Sequence, residues 1–247
     1  METETSSINI ASMKRIMLKL SGEVLVGNQK YGLDPEKLIS IASDISKVYH
    51  NNKQICIVVG GGNIFRGVSG ASQGIDRVTA DGMGMLATVI NALALQNAIE
   101  KNNVPTRVLS AIPMQTICET FIKRRAIRHL EKKRVIIFAA GTGNPYFSTD
   151  TAATLRAAEM NCDIIFKGTS VDGVYDSDPK LNSNTKKYKN ITYKKVLSDN
   201  LKVMDSSAIS MARDNHIPML VFSILEKNAF LNATLAQGSY TLISEEK

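Results

Sequence analysis

Residues for metal-centre or disulfide chemistry are scarce in this sequence. Its three cysteines, Cys56, Cys118 and Cys162, are odd in number, far apart and set in apolar stretches. That pattern predicts free core thiols in a reducing compartment rather than a disulfide framework. Its three histidines, His50, His129 and His216, show no ligand-like spacing, which argues against a zinc site. Magnesium stays open, because it needs only a carboxylate or two plus substrate phosphates. No apolar run approaches the roughly 20 residues that span a bilayer. The opening METETSSINIAS is polar and acidic where a signal peptide is basic and then apolar. Residues 1–12 therefore read as a flexible tail on a cytoplasmic protein. The familiar nucleotide and hydrolase signatures are missing too. Gly22-x-x-x-x-Gly27 is followed by Asn28, where a P-loop carries Lys and then Ser or Thr. There is no G-x-G-x-x-G, no H-R-D or D-F-G set and no G-x-S-x-G.

What is present suits a globular chain. At 247 residues, with 44% hydrophobic and 21% charged residues, the length is ample for one large α/β domain or two small ones. The formal charge of +7 invites an anionic partner. Basic residues gather at Lys123–Arg134 and Lys180–Lys195. The first cluster shares an amphipathic helical pattern with Phe121, Ile122, Ile127 and Leu130, which reads as a solvated helix face. The second reads as a polar loop without an aromatic or motif signature for nucleic acid. A small anionic substrate fits the charge at least as well, and neither nucleic acid nor membrane is expected as a partner.

One stretch organises the rest, Arg134–Met160. Val135–Ala140 is a short unbroken apolar run, as in a strand covered on both faces. It breaks at Gly141-Thr-Gly143-Asn-Pro145, and Ser148, Thr149 and Asp150 then offer N-cap side chains to a helix over Thr151–Met160. Strand, glycine turn and capped helix together make an anion site, although such loops also occur empty. The device recurs. Met13–Leu20 reads as a strand ending at Ser21-Gly22, Ile55–Val59 as one ending at Gly60–Gly62, and Asp163–Lys167 as one ending at Gly168. Helical patterns follow Asp34-Pro35 and occupy Asp81–Lys101, Cys118–Lys133, Val203–Asn215 and Glu226–Ala236. Further strands fall at Thr106–Ser110, Pro218–Phe222 and Tyr240–Ile243. This alternation predicts a three-layer α/β sandwich around a mainly parallel sheet, a single domain over residues 13–247 with a weak boundary near Lys180–Lys189. In such a sheet the strand carboxyl ends share one edge, and four small-residue turns there suit several phosphates.

Lys19, beside the Ser21-Gly22 turn, either reaches solvent or places a point charge on a transferring phosphoryl group. Arg66, just after Gly60–Asn63, invites the same pair of readings. Asp150 either caps its helix or orients Lys19 or Mg²⁺, and Asp81 reads equally as a plain cap.

The motifs then align with a known group. KLSGE at Lys19–Glu23, GGGNIFRG at Gly60–Gly67, MGMLATVINALAL at Met83–Leu95, SAIP at Ser110–Pro113, GTGNPYFSTD at Gly141–Asp150, VDGVYDSDP at Val171–Pro179 and KVMD at Lys202–Asp205 cover nearly the whole chain after the tail. Together they resemble the bacterial UMP kinases of the amino-acid-kinase family. The resemblance implies that fold and the reaction ATP + UMP → ADP + UDP with Mg²⁺, in pyrimidine nucleotide biosynthesis. It implies ATP contacts from Lys19, Leu20, Ser21, Gly22, Gly62, Arg66, Thr169, Tyr175 and Asp178. UMP contacts are implied for Gly61, Asp81, Thr142, Gly143, Asn144, Pro145, Tyr146, Phe147, Ser148 and Thr149, and roles in transfer for Lys19, Arg66, Asp150 and Asp205. The resemblance also implies that metal is carried mainly by ATP. Two alternatives are an amino-acid-kinase-family enzyme with an acylate or carbamate acceptor, and a nucleotide-sensing, nucleic-acid-binding regulator. Met83–Ile99 is apolar nearly all round, with only Thr88, Asn91, Gln96 and Asn97 as polar relief. A second subunit is the expected cover, and the resemblance implies a homohexamer of three dimers.

Overall fold

The computed structural model describes residues 8–27, 29–65, 74–177 and 185–245. Strands β1 (Arg15–Leu20) and β2 (Gln54–Val59) lie at the centre, because their apolar side chains alternate faces without a polar break until Lys19. Ile16, Leu18 and Leu20 enter one core cluster and Met17 the other. Ile55, Ile57 and Val59 divide from Cys56 and Val58 in the same way. Each such fully buried Ile or Leu contributes about 1.5–3 kcal/mol, so a charge at Ile57 would break the sheet at its middle. With β3 (Thr106–Ser110), β4 (Glu119–Thr120), β5 (Val135–Ala139), β6 (Ile164–Thr169), β9 (Asn190–Thr192), β10 (Met219–Ser223) and β11 (Tyr240–Ser244) they form a nine-stranded sheet. Its order is β4-β3-β5-β2-β1-β6-β10-β11-β9, and every neighbouring pair is parallel except β10–β11. A separate antiparallel ribbon joins β7 (Val174–Tyr175) to β8 (Lys187–Tyr188).

Helices cover both faces. α1 (Pro35–His50), α2 (Arg77–Glu100) and α7 (Ala229–Thr234) supply the cluster on one side. α3 (Lys123–Glu131), α4 (Thr149–Glu159), α5 (Tyr193–Ser198) and α6 (Ser206–Asp214) supply the other. The three-layer sandwich expected from the alternating pattern is therefore the observed architecture. The carboxyl ends of β1, β2, β5 and β6 share one edge, and the site is built there.

Several local expectations need correction. The helix read from Cys118 begins at Lys123, because Glu119–Thr120 pair with the free edge of β3 as β4. In α3 the basic residues do face outward while Ala126 and Leu130 pack inward. α2 starts before Asp81: Asp76 caps it by accepting from Thr79 N–H, so Asp81 lies within the helix. The polar loop read over Lys180–Lys195 contains, among its described residues, β8, β9 and the start of α5. The tail ends sooner than residue 12, since Ile10 is buried in a 3-10 turn over Ile10–Ser12. Gly168 sits inside β6 rather than in a turn, close to Leu20 and Ile224. Finally, α2 is long and apolar enough, by length and composition, to cross a membrane. In this fold it lies along the sheet and contributes Val89, Ala92, Leu95 and Ile99 to the core.

Candidate active site

Parallel register makes the site. Lys19 of β1 and Lys167 of β6 are direct Cα partners. Two residues earlier Met17 and Ile165 enter the core cluster beneath α4, so the period of two turns both lysines to that same face. There the first turn of α4 presents Asp150. Lys19 Nζ lies 2.6 Å from Asp150 Oδ1, an ion pair without the alignment of a hydrogen bond. Lys167 Nζ donates to Asp150 Oδ2 at 2.9 Å and also to the Val203 carbonyl. One carboxylate thus serves two ammonium groups. Burial pushes the Asp150 carboxyl up, but the flanking Lys19 and Lys167 outweigh it and hold the group below its ordinary value. Burial holds the Lys167 ammonium below its ordinary value, against the pull of Asp150. The result is a largely buried cluster of two ammonium groups on one carboxylate, with Asp205 also within electrostatic reach of Lys167, at the open edge of the sheet.

The N-terminus of α4 adds its own positive field. Ser148 caps it, accepting from the N–H groups of Asp150 at 3.0 Å and Thr151 at 3.3 Å. The Ser148 hydroxyl itself donates to Asp205. Asp205 accepts from Thr151 Oγ1 at 2.9 Å and caps α6 through Ala208 N–H at 2.8 Å. Asp205, expected among the transfer residues, is therefore a joint between two helix N-termini.

Two clefts meet at this point. The larger, about 620 Å³, is lined by Lys19, Ser21, Asp150, Lys167, Thr169 and Tyr175 among others. The smaller, about 210 Å³, is lined by Gly61, Gly62, Asp81, Thr142, Asn144, Phe147 and Thr149 among others. Thr149 faces one cleft and Asp150 the other, so the first residues of α4 divide them. Tyr175 is held at the rim by donating to Asp172 Oδ1 at 2.6 Å. Asp172 also accepts from Lys187 and Ser239, each at 2.7 Å, which pins the β7–β8 ribbon in place. Partial burial opposes the Asp172 charge, and the Lys187 and Tyr175 donors overcome it, depressing its pKa strongly.

Most residues expected here do converge, with exceptions. Arg66 and Asp178 lie outside the described residues. Leu20 is fully buried in the core, so only its backbone is available at the edge. Gly62, expected beside ATP, lines the smaller cleft. Gly22 packs against Gly60–Asn63, where a Cβ would come within 2.9 Å of Gly62 N, so its role is close approach of two turns. Gly143, at φ +81°, packs on Ala111. Pro145, Tyr146 and Ser148 belong to the loop but do not line the smaller cleft. Tyr146 instead lies exposed under the Arg77 guanidinium, 5.4 Å from its ring centroid. Lys167 was missed by sequence reasoning, although Lys167-Gly-Thr at a strand end echoes Lys19-Leu-Ser-Gly.

Known proteins share this sequence pattern and fold. A model of the amino acid kinase family matches residues 14–223. A uridylate kinase of Erythrobacter litoralis is 58% identical over 234 residues, covering 95% of this chain and 98% of that protein. One of Rickettsia felis is 55% identical over 240 residues, covering 97% and 99%. The crystal structure of UMP kinase from Ureaplasma parvum superposes with a TM-score of 0.90 at 43% identity, over 94% of this chain and 99% of that one. Uridylate kinase from Archaeoglobus fulgidus gives 0.71 at 27% identity, over 93% and 99%. The chain belongs to the amino acid kinase family and, within it, to the uridylate kinases.

Proposed function

We infer that this chain transfers the γ-phosphoryl group of ATP to UMP, giving ADP and UDP. The observation that carries the reading is the Lys19–Asp150–Lys167 cluster at the junction of two clefts. ATP is assigned to the larger cleft, with Tyr175 at its rim, and UMP to the smaller, against Gly61, Asp81 and Thr149. The N-terminal part of the chain then builds the acceptor side and the C-terminal part, with Lys19 and Ser21, the donor side.

The acceptor is a phosphate oxygen already ionised near neutral pH, so no general base is needed. The barrier is the approach of two anions. Lys19 and Lys167 place positive charge between donor and acceptor, Asp150 keeps both ammonium groups in register, and the α4 N-terminus adds backbone donors. Both Asp150 oxygens are engaged by lysines, and Asp176 and Asp199 are the other carboxylates lining the larger cleft. That sparse set suits a Mg²⁺ ion that would be held mainly by the phosphates, with Asp176 the cleft carboxylate that would join it, since Asp199 is paired with Lys195. When bound, the ion neutralises charge on the β- and γ-phosphates.

Assembly and location belong to the same reading. Met83, Leu86 and Ile90 form an exposed apolar stripe on α2. We assign this stripe to a two-fold contact with a second copy, within a homohexamer of dimers in the cytoplasm. Release of ADP should be fast with UMP, slower with CMP or dUMP, and absent with aspartate, acetylglutamate or carbamate. Turnover with any of those three matching that with UMP overturns the acceptor assignment, and tight, salt-sensitive nucleic-acid binding without turnover overturns the enzyme reading.

A further inference from the structure

Helix α2 has no charge between Asp81 and Glu100, and Thr88 and Asn91 read in the sequence as part of a meagre outward polar face. The fold turns them inward. Thr88 is 3% and Asn91 0% exposed, while Leu86 and Ile90 are each 51% exposed. Asp81, Thr88 and Asn91 are seven and three residues apart, so they share one helix face over three turns.

Each of these side chains ends on backbone of a turn whose neighbouring residues line the smaller cleft. The 140–149 loop holds two non-glycine residues in the left-handed region, Ala140 at φ +61° and Tyr146 at φ +71°. Such conformations persist only where the surroundings over-determine them. Both donate their N–H to α2: Ala140 to Thr88 Oγ1 at 2.8 Å and Tyr146 to Asp81 Oδ2 at 2.7 Å. On the opposite wall Asn91 Nδ2 donates to the Gly60 carbonyl and to Asn63 Oδ1, both at 2.6 Å. Asn63 Nδ2 returns a bond to Asn91 Oδ1 at 3.0 Å and reaches the Gly32 carbonyl at 2.8 Å. Between them Gly61 presses on the helix, where a Cβ would stand 2.8 Å from the Gly84 carbonyl oxygen and 2.9 Å from Ala87 Cβ.

We propose that Thr88 and Asn91 are positioning residues for acceptor binding, holding the two backbone turns of the smaller cleft at fixed separation. The proposal rests on the reading of that cleft as the UMP site. Thr88, which also lines that cleft, fixes the strained start of the 140–149 loop, and Asn91, behind it, fixes the Gly60–Asn63 turn. Thr88 touches only the acceptor wall, whereas the Gly60–Asn63 turn held by Asn91 also packs on Gly22, so Thr88 is the residue on which donor binding does not depend.

The test measures KM for UMP and for Mg-ATP, with thermal unfolding, in Thr88→Val, Thr88→Ser, Asn91→Ala and Asp81→Asn. Thr88→Val keeps the shape but removes the acceptor for Ala140 N–H. It should raise KM for UMP by about tenfold and leave that for ATP within about twofold, as expected when one buried donor loses its partner. Thr88→Ser, which keeps the oxygen, should restore the UMP value. Asn91→Ala probes the other wall and serves if Thr88→Val is too unstable to assay: it should raise KM for UMP more than that for ATP, a smaller ATP effect arising from the contact of the Gly60–Asn63 turn with Gly22. An unchanged UMP KM in folded Thr88→Val beside a raised one in Asp81→Asn overturns the positioning role alone. Equal rises for both nucleotides also overturn it. A changed ATP KM with a normal UMP KM in Asp81→Asn overturns the cleft assignment itself.

Discussion

Replacing Lys167 by methionine separates the chemistry of the site from its stability. Methionine keeps an unbranched side chain but removes an ammonium group that contacts Asp150 and the Val203 carbonyl. A cation about 4 Å from a phosphoryl charge, at an effective dielectric of about 20, is worth about 4 kcal/mol. Only the part gained on reaching the transition state enters kcat, and loss of one preorganised donor elsewhere costs about 2.7–4 kcal/mol. Lys167→Met should therefore lower kcat by roughly 100- to 1,000-fold. Stability is read separately. The substitution removes a desolvated cation and leaves the Lys19–Asp150 ion pair, but Asp150 Oδ2 and the Val203 carbonyl lose their donor, a net loss of about 1–3 kcal/mol. At about 2–4 °C per kcal/mol for a chain of this length, Tm should fall by less than about 12 °C. Coupled ADP release at saturating UMP and Mg-ATP reads the first quantity, and thermal unfolding the second. A kcat within about threefold of the parent, in a folded variant, would refute the assignment of Lys167 to transfer.

Two further outcomes follow from the same geometry. The Asp150 carboxyl is held below its ordinary value of 3.8, so the folded state binds fewer protons there than the unfolded chain between the two pKa values. Its stabilisation is fully present above the unfolded value and is lost as pH falls through the folded one. Asp150→Asn should therefore flatten the pH dependence of urea-unfolding stability below about pH 4, and an unaltered acid slope would contradict the ion-pair account. Ile90→Glu, on the exposed stripe of α2, should abolish self-association in sedimentation at micromolar concentration while leaving Tm close to that of the isolated subunit. A parent protein that sediments as a monomer would remove the interface.

Much of this was legible in the sequence because strands buried on both faces read as plain apolar runs. Val135–Ala139 and Gln54–Val59 each ran into glycines, and parallel pairing does put those turns on one edge. Lys167 stayed hidden for a geometric reason. Its partner Lys19 lies far away in the chain, and only the β1–β6 register sets them side by side. The sequence showed α2 apolar nearly all round with a few polar residues, but not which of these lie inside. The apolar residues Leu86 and Ile90 were available for the outside only because Thr88 and Asn91 had backbone partners within. Asp81 looked like a cap because it directly precedes the long uncharged run, yet Asp76 caps the helix more than a turn earlier. Short elements such as β4, β7 and β8 are two residues each, too brief to leave a pattern, and they form because a sheet edge or a ribbon partner is at hand.

The central claim is that two nucleotides meet across the first turn of α4, between Lys19 and Lys167. A crystal structure with UMP, Mg²⁺ and a non-hydrolysable ATP analogue tests it directly. The account predicts the UMP phosphate beside Gly61 and Thr149, the analogue in the cleft rimmed by Tyr175, and its terminal phosphate within contact of both lysines. Nucleotides in the opposite clefts, or a terminal phosphate touching neither lysine, would contradict it.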